Sequence, residues 1–206
     1  IDHCGLLVFL YVFYDYKITV VITRGGKVLN LVQVDMEALI ETISHVDDNL
    51  GKSYLDAVTG EVIYIPTEVS LALEKGTLKE NTFDNWLKEF VDKAILINDD
   101  EVNRYLSTPL IDEKFYIKAM KKYVKSVISD SDLKLELNEA LNSKEPIKRF
   151  KHILMDKQNE VESVASNSCE ADEFTTNKWY KYEDYCINEF VKEWLKSNGI
   201  EVKFLN

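Results

Sequence analysis

Three histidines, three cysteines and 36 carboxylates are the side chains of this 206-residue chain that could move protons, attack carbon or hold a metal. Their spacing argues against each use. His3, His45 and His152 stand far apart, so no local pair has the spacing of a metal or proton-transfer site. Cys4, Cys169 and Cys186 are odd in number and lack CxxC or Cys/His spacing, so neither a disulfide framework nor a zinc site is expected, and a reducing cytoplasm is the compartment they fit. Gly25-Gly26 matches neither glycine-rich phosphate loop. The carboxylates are scattered as a solvating surface is, so no catalytic residue, metal ligand or cofactor is assigned. An acid-based hydrolase or nuclease would need three or more of them to converge in a cleft.

One constellation could bind a ligand. The stretch "KEPIKRFKHILMDK", residues 144–157, sets Lys144, Lys148, Arg149, Lys151 and Lys157 against Glu145 and Asp156, in a chain of formal net charge −11. Together with "KWYKY" it offers Lys148, Arg149, Lys151 and Lys178 to a phosphate backbone, and Trp179 and Tyr180 to stacked bases. A competing reading makes Phe150 and Trp179 core anchors, because aromatic residues at helical spacing usually face a core. The cations then solvate one face or pair with the acidic stretch that follows. Net charge also weighs against nucleic acid or an anionic membrane as partner, since the field of the whole molecule repels polyanions.

The elements that must position these residues are legible in places. In "SYLDAVTGEVIYIP", residues 53–66, Tyr54 and Leu55 precede and Val62 to Ile65 follow a reversal at Asp56-Ala57-Val58-Thr59-Gly60. That run suits a type I turn closed by a left-handed glycine, so Asp56 and Thr59 are read as turn formers, and Pro66 ends the second strand. Met36, Leu39, Ile40, Ile43 and Val46 make one helix face behind an Asp35 cap. Phe83, Trp86, Leu87, Phe90, Val91 and Ala94 form the stripe of a second helix, with "AILIN" as either its end or a short strand.

Helices are also expected behind Asp112, with Tyr116, Met120, Tyr123, Val124 and Val127 inward, and over "SDLKLELNEAL". Another opens at a Ser143 cap with Pro146 in its first turn and buries Ile147, Phe150 and Leu154. The last, "NKWYKYEDYCINEFVKEWLKSNG", puts Trp179, Tyr182, Cys186, Ile187, Phe190, Val191 and Trp194 on one face and stops at Gly199, with Ile200 packing back on Leu195. "IEVKFL" then adds a strand beside the hairpin, while "NEVESVASNSCEADE" reads as a solvated loop.

The first 28 residues stand apart. "CGLLVFLYVFYDYKITVVITRGGK" begins apolar, but Asp15 and Lys17 interrupt it well short of the roughly 20 apolar residues a spanning helix needs. It also lacks the basic start and small-residue cleavage site of a signal peptide. Leu6 to Tyr14, Ile18 to Thr23 and Val28 to Val34 could form a meander of strands. Alternatively, residues 1–28 precede the native start: Gly25-Gly26-Lys27 is what a translated ribosome-binding site would encode, with Val28 or Leu29 as initiator.

Three patterns in this order, "SYLDAVTGEVIYIP", "IKRFKHIL" and "WYKYEDYCINEFVKEWLKSNGIE", resemble the bacterial uncharacterised protein family UPF0158 over roughly residues 29–202. The acidic spacer between Lys157 and Thr175 departs from the family pattern. The resemblance implies a coherent fold and supplies no reaction.

The fold expected is α+β: a helix-rich single domain over residues 29–206 with a small antiparallel sheet that includes a hairpin at about 53–65. The function expected is that of a bacterial cytoplasmic, non-catalytic module that binds another protein through its helical surface. The alternative is a nucleic-acid-associated protein using the 144–157 helix with Trp179 and Tyr180.

Overall fold

The computed structural model describes residues 17–24, 27–44, 51–79, 82–164 and 176–203. The expected strand at 6–14, together with His3, Cys4, Gly25-Gly26, His45, Val46 and Cys169, lies outside the described residues. The β-branched stretches that follow do pair. β1 (Lys17–Arg24) and β2 (Lys27–Asp35) run antiparallel from Lys17 opposite Asp35 to Arg24 opposite Lys27, with an irregularity between Ile22 and Thr23. Asp35 ends β2 and caps α1 (Met36–Ser44), its carboxylate accepting a hydrogen bond from the Ala38 amide at 3.0 Å. Met36, Leu39 and Ile43 of α1 are buried, as the helical spacing requires.

β3 (Gly51–Asp56) and β4 (Val62–Pro66) form the expected hairpin, with Leu55 opposite Val62. Its turn is closed by the Asp56 amide donating to the Glu61 carbonyl at 2.9 Å and the Gly60 amide donating to the Asp56 carbonyl at 2.7 Å. Gly51 opens β3 at φ +136°, where a Cβ would collide with the Ile65 carbonyl of the facing strand. No side chain fits there. Pro66 leads directly into α2 (Thr67–Glu74), a helix that sequence periodicity did not announce.

The Trp86 stretch begins as a 3-10 turn over Asn85–Leu87 and continues as α3 (Lys88–Asn98). Ile95 to Asn98 therefore finish this helix and make no strand. Ala94 is buried and Ile95 and Ile97 are half-buried against the hairpin, so helical burial suffices for the apolar run. The strand that does follow, β5 (Tyr105–Ser107), is three residues long. Four helices come next: α4 (Glu113–Ser126), α5 (Ser131–Leu141), α6 (Pro146–Val164) and α7 (Thr176–Ser197), and the strand β6 (Ile200–Lys203) closes the described chain.

Capping explains the helix starts. Asp112 and Asp130 accept from the Phe115 and Leu133 amides at 2.9 and 2.7 Å. Ser143 does not cap α6: Pro146 opens that helix, and the Ser143 hydroxyl is buried with no hydrogen-bond partner among the described residues. At the start of α7 a residue from the preceding helix serves instead, Gln158 Oε1 accepting from the Thr176 amide and hydroxyl at 3.1 and 2.6 Å. The acidic stretch expected as loop is helical through Val164.

The expected single sheet is two. Both are three-stranded and antiparallel, in the orders β2-β1-β6 and β4-β3-β5. Thus β6 lies beside β1 rather than beside the hairpin, whose free side is taken by β5. The fold class remains α+β and helix-rich, with the hairpin in place.

Three apolar clusters hold these elements together. One joins β2, α1, β3, α7 and β6; one fills the space among α4, α5, α6 and α7; the third packs α2 and α3 on β4. Helix α7, 22 residues and about 33 Å long, belongs to the first two. Its buried seam is Trp179, Glu183, Ile187, Val191 and Leu195, one residue every four.

Candidate functional site

A carboxylate interrupts that seam. Trp179 packs in the four-helix cluster and Ile187 in the cluster against β2 and α1, and Glu183 sits between them, 8% exposed. Burying a charged group is costly unless it is paired and hydrogen-bonded, so the surroundings of Glu183 carry information. Lys151 of α6 brings its Nζ to 3.5 Å from Glu183 Oε1, and that oxygen has no hydrogen-bond partner among the described residues. Burial pushes the Glu183 carboxyl above its ordinary range, and the Lys151 charge offsets only part of this.

Glu183 lines a groove of about 650 Å³ between α1, α4, α6 and α7. Glu37 and Glu41, one helical turn apart on α1, and Asp184 beside Glu183 add three more carboxylates, against Lys151 as the one cation of the lining. Ile40, Ile147 and Ile187 supply apolar wall. Tyr116 of α4 also lines the groove and donates from its hydroxyl to the Ser44 carbonyl at 3.4 Å. Its phenol is pushed up first by burial and then by the negative charge of Glu183. Carboxylates do converge in a cleft, then, yet among the described residues no group of three His, Cys, Asp or Glu is arranged to hold a metal ion.

The basic constellation of the sequence is divided by this geometry. Trp179 is fully buried, its ring 5.1 Å from Phe150 and 5.2 Å from Tyr123 centroid to centroid, so neither face is open to a base. Lys151 turns toward Glu183, its Nζ also lying 5.3 Å from the centre of the Tyr180 ring. Lys148 pairs with Glu145 at 3.6 Å, and His152 and Lys157 stand against Asp156 and Glu160 on the same helix at 2.7 and 2.9 Å. Arg149 is exposed and Lys178 half-buried, while Tyr180 keeps 45% of its surface open. The structure brings Lys151 and Tyr180 together and takes Trp179 out of reach.

A second surface was not singled out by the sequence, which assigned Trp86 to a buried stripe. Trp86 is 63% exposed. Its ring stands edge to face on Phe90 at 6.3 Å, and Phe90 in turn meets Tyr64 of β4 at 6.5 Å, Tyr64 being 44% exposed. The reason is the 3-10 turn: tighter winding before α3 rotates Trp86 off the stripe that Leu87 and Ala94 follow into the core.

A family model described as "Uncharacterised protein family (UPF0158)" matches residues 29–206. The chain belongs to this family. Comparison with curated proteins and with solved structures gave no match. The UPF0158 match covers the hairpin, the aromatic surface and all four helices that form the groove. No helix among the described residues is long and apolar enough to cross a membrane.

Proposed function

We propose that this UPF0158 protein is a non-catalytic interaction module that docks a partner protein on the aromatic surface of Tyr64, Phe90 and Trp86. The exposure of Trp86, held edge to face by Phe90, is the observation that carries the reading. Tryptophan and tyrosine dominate the energetically important centres of protein interfaces, because they offer large contact area at small entropic cost. Around this centre lies a polar rim. Lys93 of α3 bonds Glu61 of the hairpin at 2.9 Å and stands 3.8 Å from Glu89.

Charge defines the partner further. Over residues 61–66 and 84–98, the elements that carry the patch and the residue that precedes each, Glu61, Asp84, Glu89 and Asp92 outnumber Lys88 and Lys93, and the whole chain carries −11. The occupant that fits is therefore a protein surface with an apolar socket and basic residues around it. Such a protein works in the cytoplasm of a bacterium, in line with its cysteine usage and its family resemblance.

The alternative, nucleic-acid binding by Lys148, Arg149, Lys151 and Lys178, keeps one favourable observation, the exposed ring of Tyr180 beside Lys151. Affinity purification from the native cell with and without nuclease separates the two. The docking reading expects a stoichiometric protein that survives nuclease and is lost with Trp86→Ala. Material released by nuclease, and retained by Trp86→Ala but not by the Lys148→Ala/Arg149→Ala pair, would instead establish the nucleic-acid reading.

A further inference from the structure

Helix α4 carries five lysines against one glutamate, in a chain whose formal net charge is −11. Lys114, Lys118, Lys121 and Lys125 follow one another at steps of four, three and four residues, so they form a single line along the helix, about 17 Å from end to end. All four are exposed, on the side away from Ala119, Met120 and Tyr123, which face the four-helix cluster. Like charges one turn apart disfavour a helix, and interspersed acids usually relieve them. Elsewhere the chain follows that pattern: Lys93, Lys148, Lys151, Lys157 and Lys192 each meet a carboxylate. The four lysines of the α4 line have no ion pair among the described residues.

A groove of about 450 Å³ between α4 and α5 widens this positive face. Lys121, Val124 and Lys125 line it from α4 and Lys134 and Asn138 from α5, and among the described residues no carboxylate does. The acids of α5, Asp132, Glu136 and Glu139, lie more than a third of a turn around that helix from Lys134.

We propose that this face of α4, together with Lys134, docks the phosphate backbone of a nucleic-acid duplex. A row of cations repeating every three or four residues, about 5–6 Å along the helix, complements a polymer that carries a charge on every unit. Within about 8 Å, the screening distance at physiological salt, these lysines outweigh the remote acids that make the whole molecule negative. A bilayer fits less well, because the apolar side of α4 is already spent in the core and none is left to enter lipid. A single strand fits less well too, since its usual grip includes exposed aromatic rings, whereas Tyr123 of α4 is buried and Phe115 stacks on Phe190. With backbone contacts alone, the binding carries no sequence preference. It is independent of docking at Trp86, and it uses a different element from the 144–157 helix, where Lys148 and Lys157 pair with acids one turn away.

The test is fluorescence anisotropy of the full chain with a labelled DNA duplex of about two helical turns, titrated between about 50 and 200 mM salt. Saturable binding is expected, with an affinity that falls by a log–log slope of about −4, the value for four or five neutralised phosphates. Lys118→Gln/Lys121→Gln/Lys125→Gln, on an exposed face, should fold as wild type does, weaken binding tenfold or more and flatten that slope by about 2 to 3. The corresponding Lys→Arg triple should retain binding. Lys148→Gln/Arg149→Gln/Lys178→Gln, which removes the same charge from other helices, and Trp86→Ala should both stay within twofold of wild type. Equal losses in the two glutamine triples would overturn the proposal, because net charge alone would then account for the binding. So would the absence of saturable duplex binding at the lowest salt. Tighter binding to the single strand, to polyglutamate or to vesicles containing phosphatidylglycerol would overturn it as well, by assigning the face to another occupant.

Discussion

Arg104 clasps Asp56 with two parallel hydrogen bonds, Nε to Oδ1 at 2.9 Å and Nη2 to Oδ2 at 2.6 Å. The same carboxylate takes the Val58 amide at 2.8 Å, and the Arg104 carbonyl accepts from the Ala57 amide at 2.8 Å. A turn former thus doubles as the anchor that holds β5 against the hairpin, across 48 residues of sequence. The side chain of Asp56 is 3% exposed and that of Arg104 is 38% exposed, so solvent screens one partner of the pair. Allowing for that, Asp56→Ala should cost about 2 kcal/mol, the range for a hydrogen bond to a charged group, read as a lower urea midpoint at unchanged slope.

The same pair sets a pH dependence. Burial pushes the Asp56 carboxyl up, but the Arg104 guanidinium and the Val58 and Thr59 bonds outweigh it and hold it below its ordinary 3.8. A carboxyl with a depressed folded-state value contributes stability that is full above its unfolded value and lost as pH falls through the folded one. Wild type should therefore lose part of its stability below about pH 4, and Asp56→Asn should show a flatter acid limb. Denaturant midpoints measured from pH 2.5 to 6 check this. Parallel acid limbs in the two proteins would show that the clasp is energetically idle.

Trp179 is predicted to be structural. Its ring lies in a cluster with Tyr123, Phe150 and Tyr182, and truncation of a fully buried aromatic residue costs about 3–5 kcal/mol. Trp179→Ala should approach unfolding at room temperature, whereas the Lys148→Ala/Arg149→Ala pair, on an exposed face, should stay within about 0.5 kcal/mol of wild type. Urea titration of both variants measures the contrast.

Strand β1 occupies the middle of its sheet, and β6 has no other strand partner among the described residues. A chain beginning at residue 29 should consequently lose amide protection at Ile200–Lys203, while α4 to α6, whose contacts lie elsewhere, keep theirs. Hydrogen exchange on the two chains shows whether this holds. Unchanged protection at β6 would mean that β1 is dispensable to it.

What the sequence made legible follows the range of the interactions. The caps at Asp35, Asp112 and Asp130 were local, as was the 53–66 reversal, and each formed on the expected residues or beside them. Asp35 and Asp112 are caps the sequence points to; Asp130 is one it does not, and Ser143, which it does point to, does not cap α6. The partner of β6 was misread because four residues fit beside either sheet, and only contact across the chain distinguishes them. β5 was missed because three residues carry no periodicity. The groove was illegible for a stronger reason: its lining comes from α1, α4, α6 and α7, and the tell-tale sign lay within α7 alone. Glu183 stands four residues after Trp179 and four before Ile187, an acid in phase with the buried stripe. Helical spacing read for its apolar members passed over the one charged member.

Photocrosslinking inside the native cell is the sharpest check on docking through the aromatic surface. A photoreactive phenylalanine analogue is placed at position 86 and, as control, at Leu135, which is equally exposed at 63% on α5. A discrete protein adduct from position 86, absent from position 135 and unaffected by nuclease, is the predicted result. The same adducts from both positions, or none from position 86, would contradict docking through Trp86.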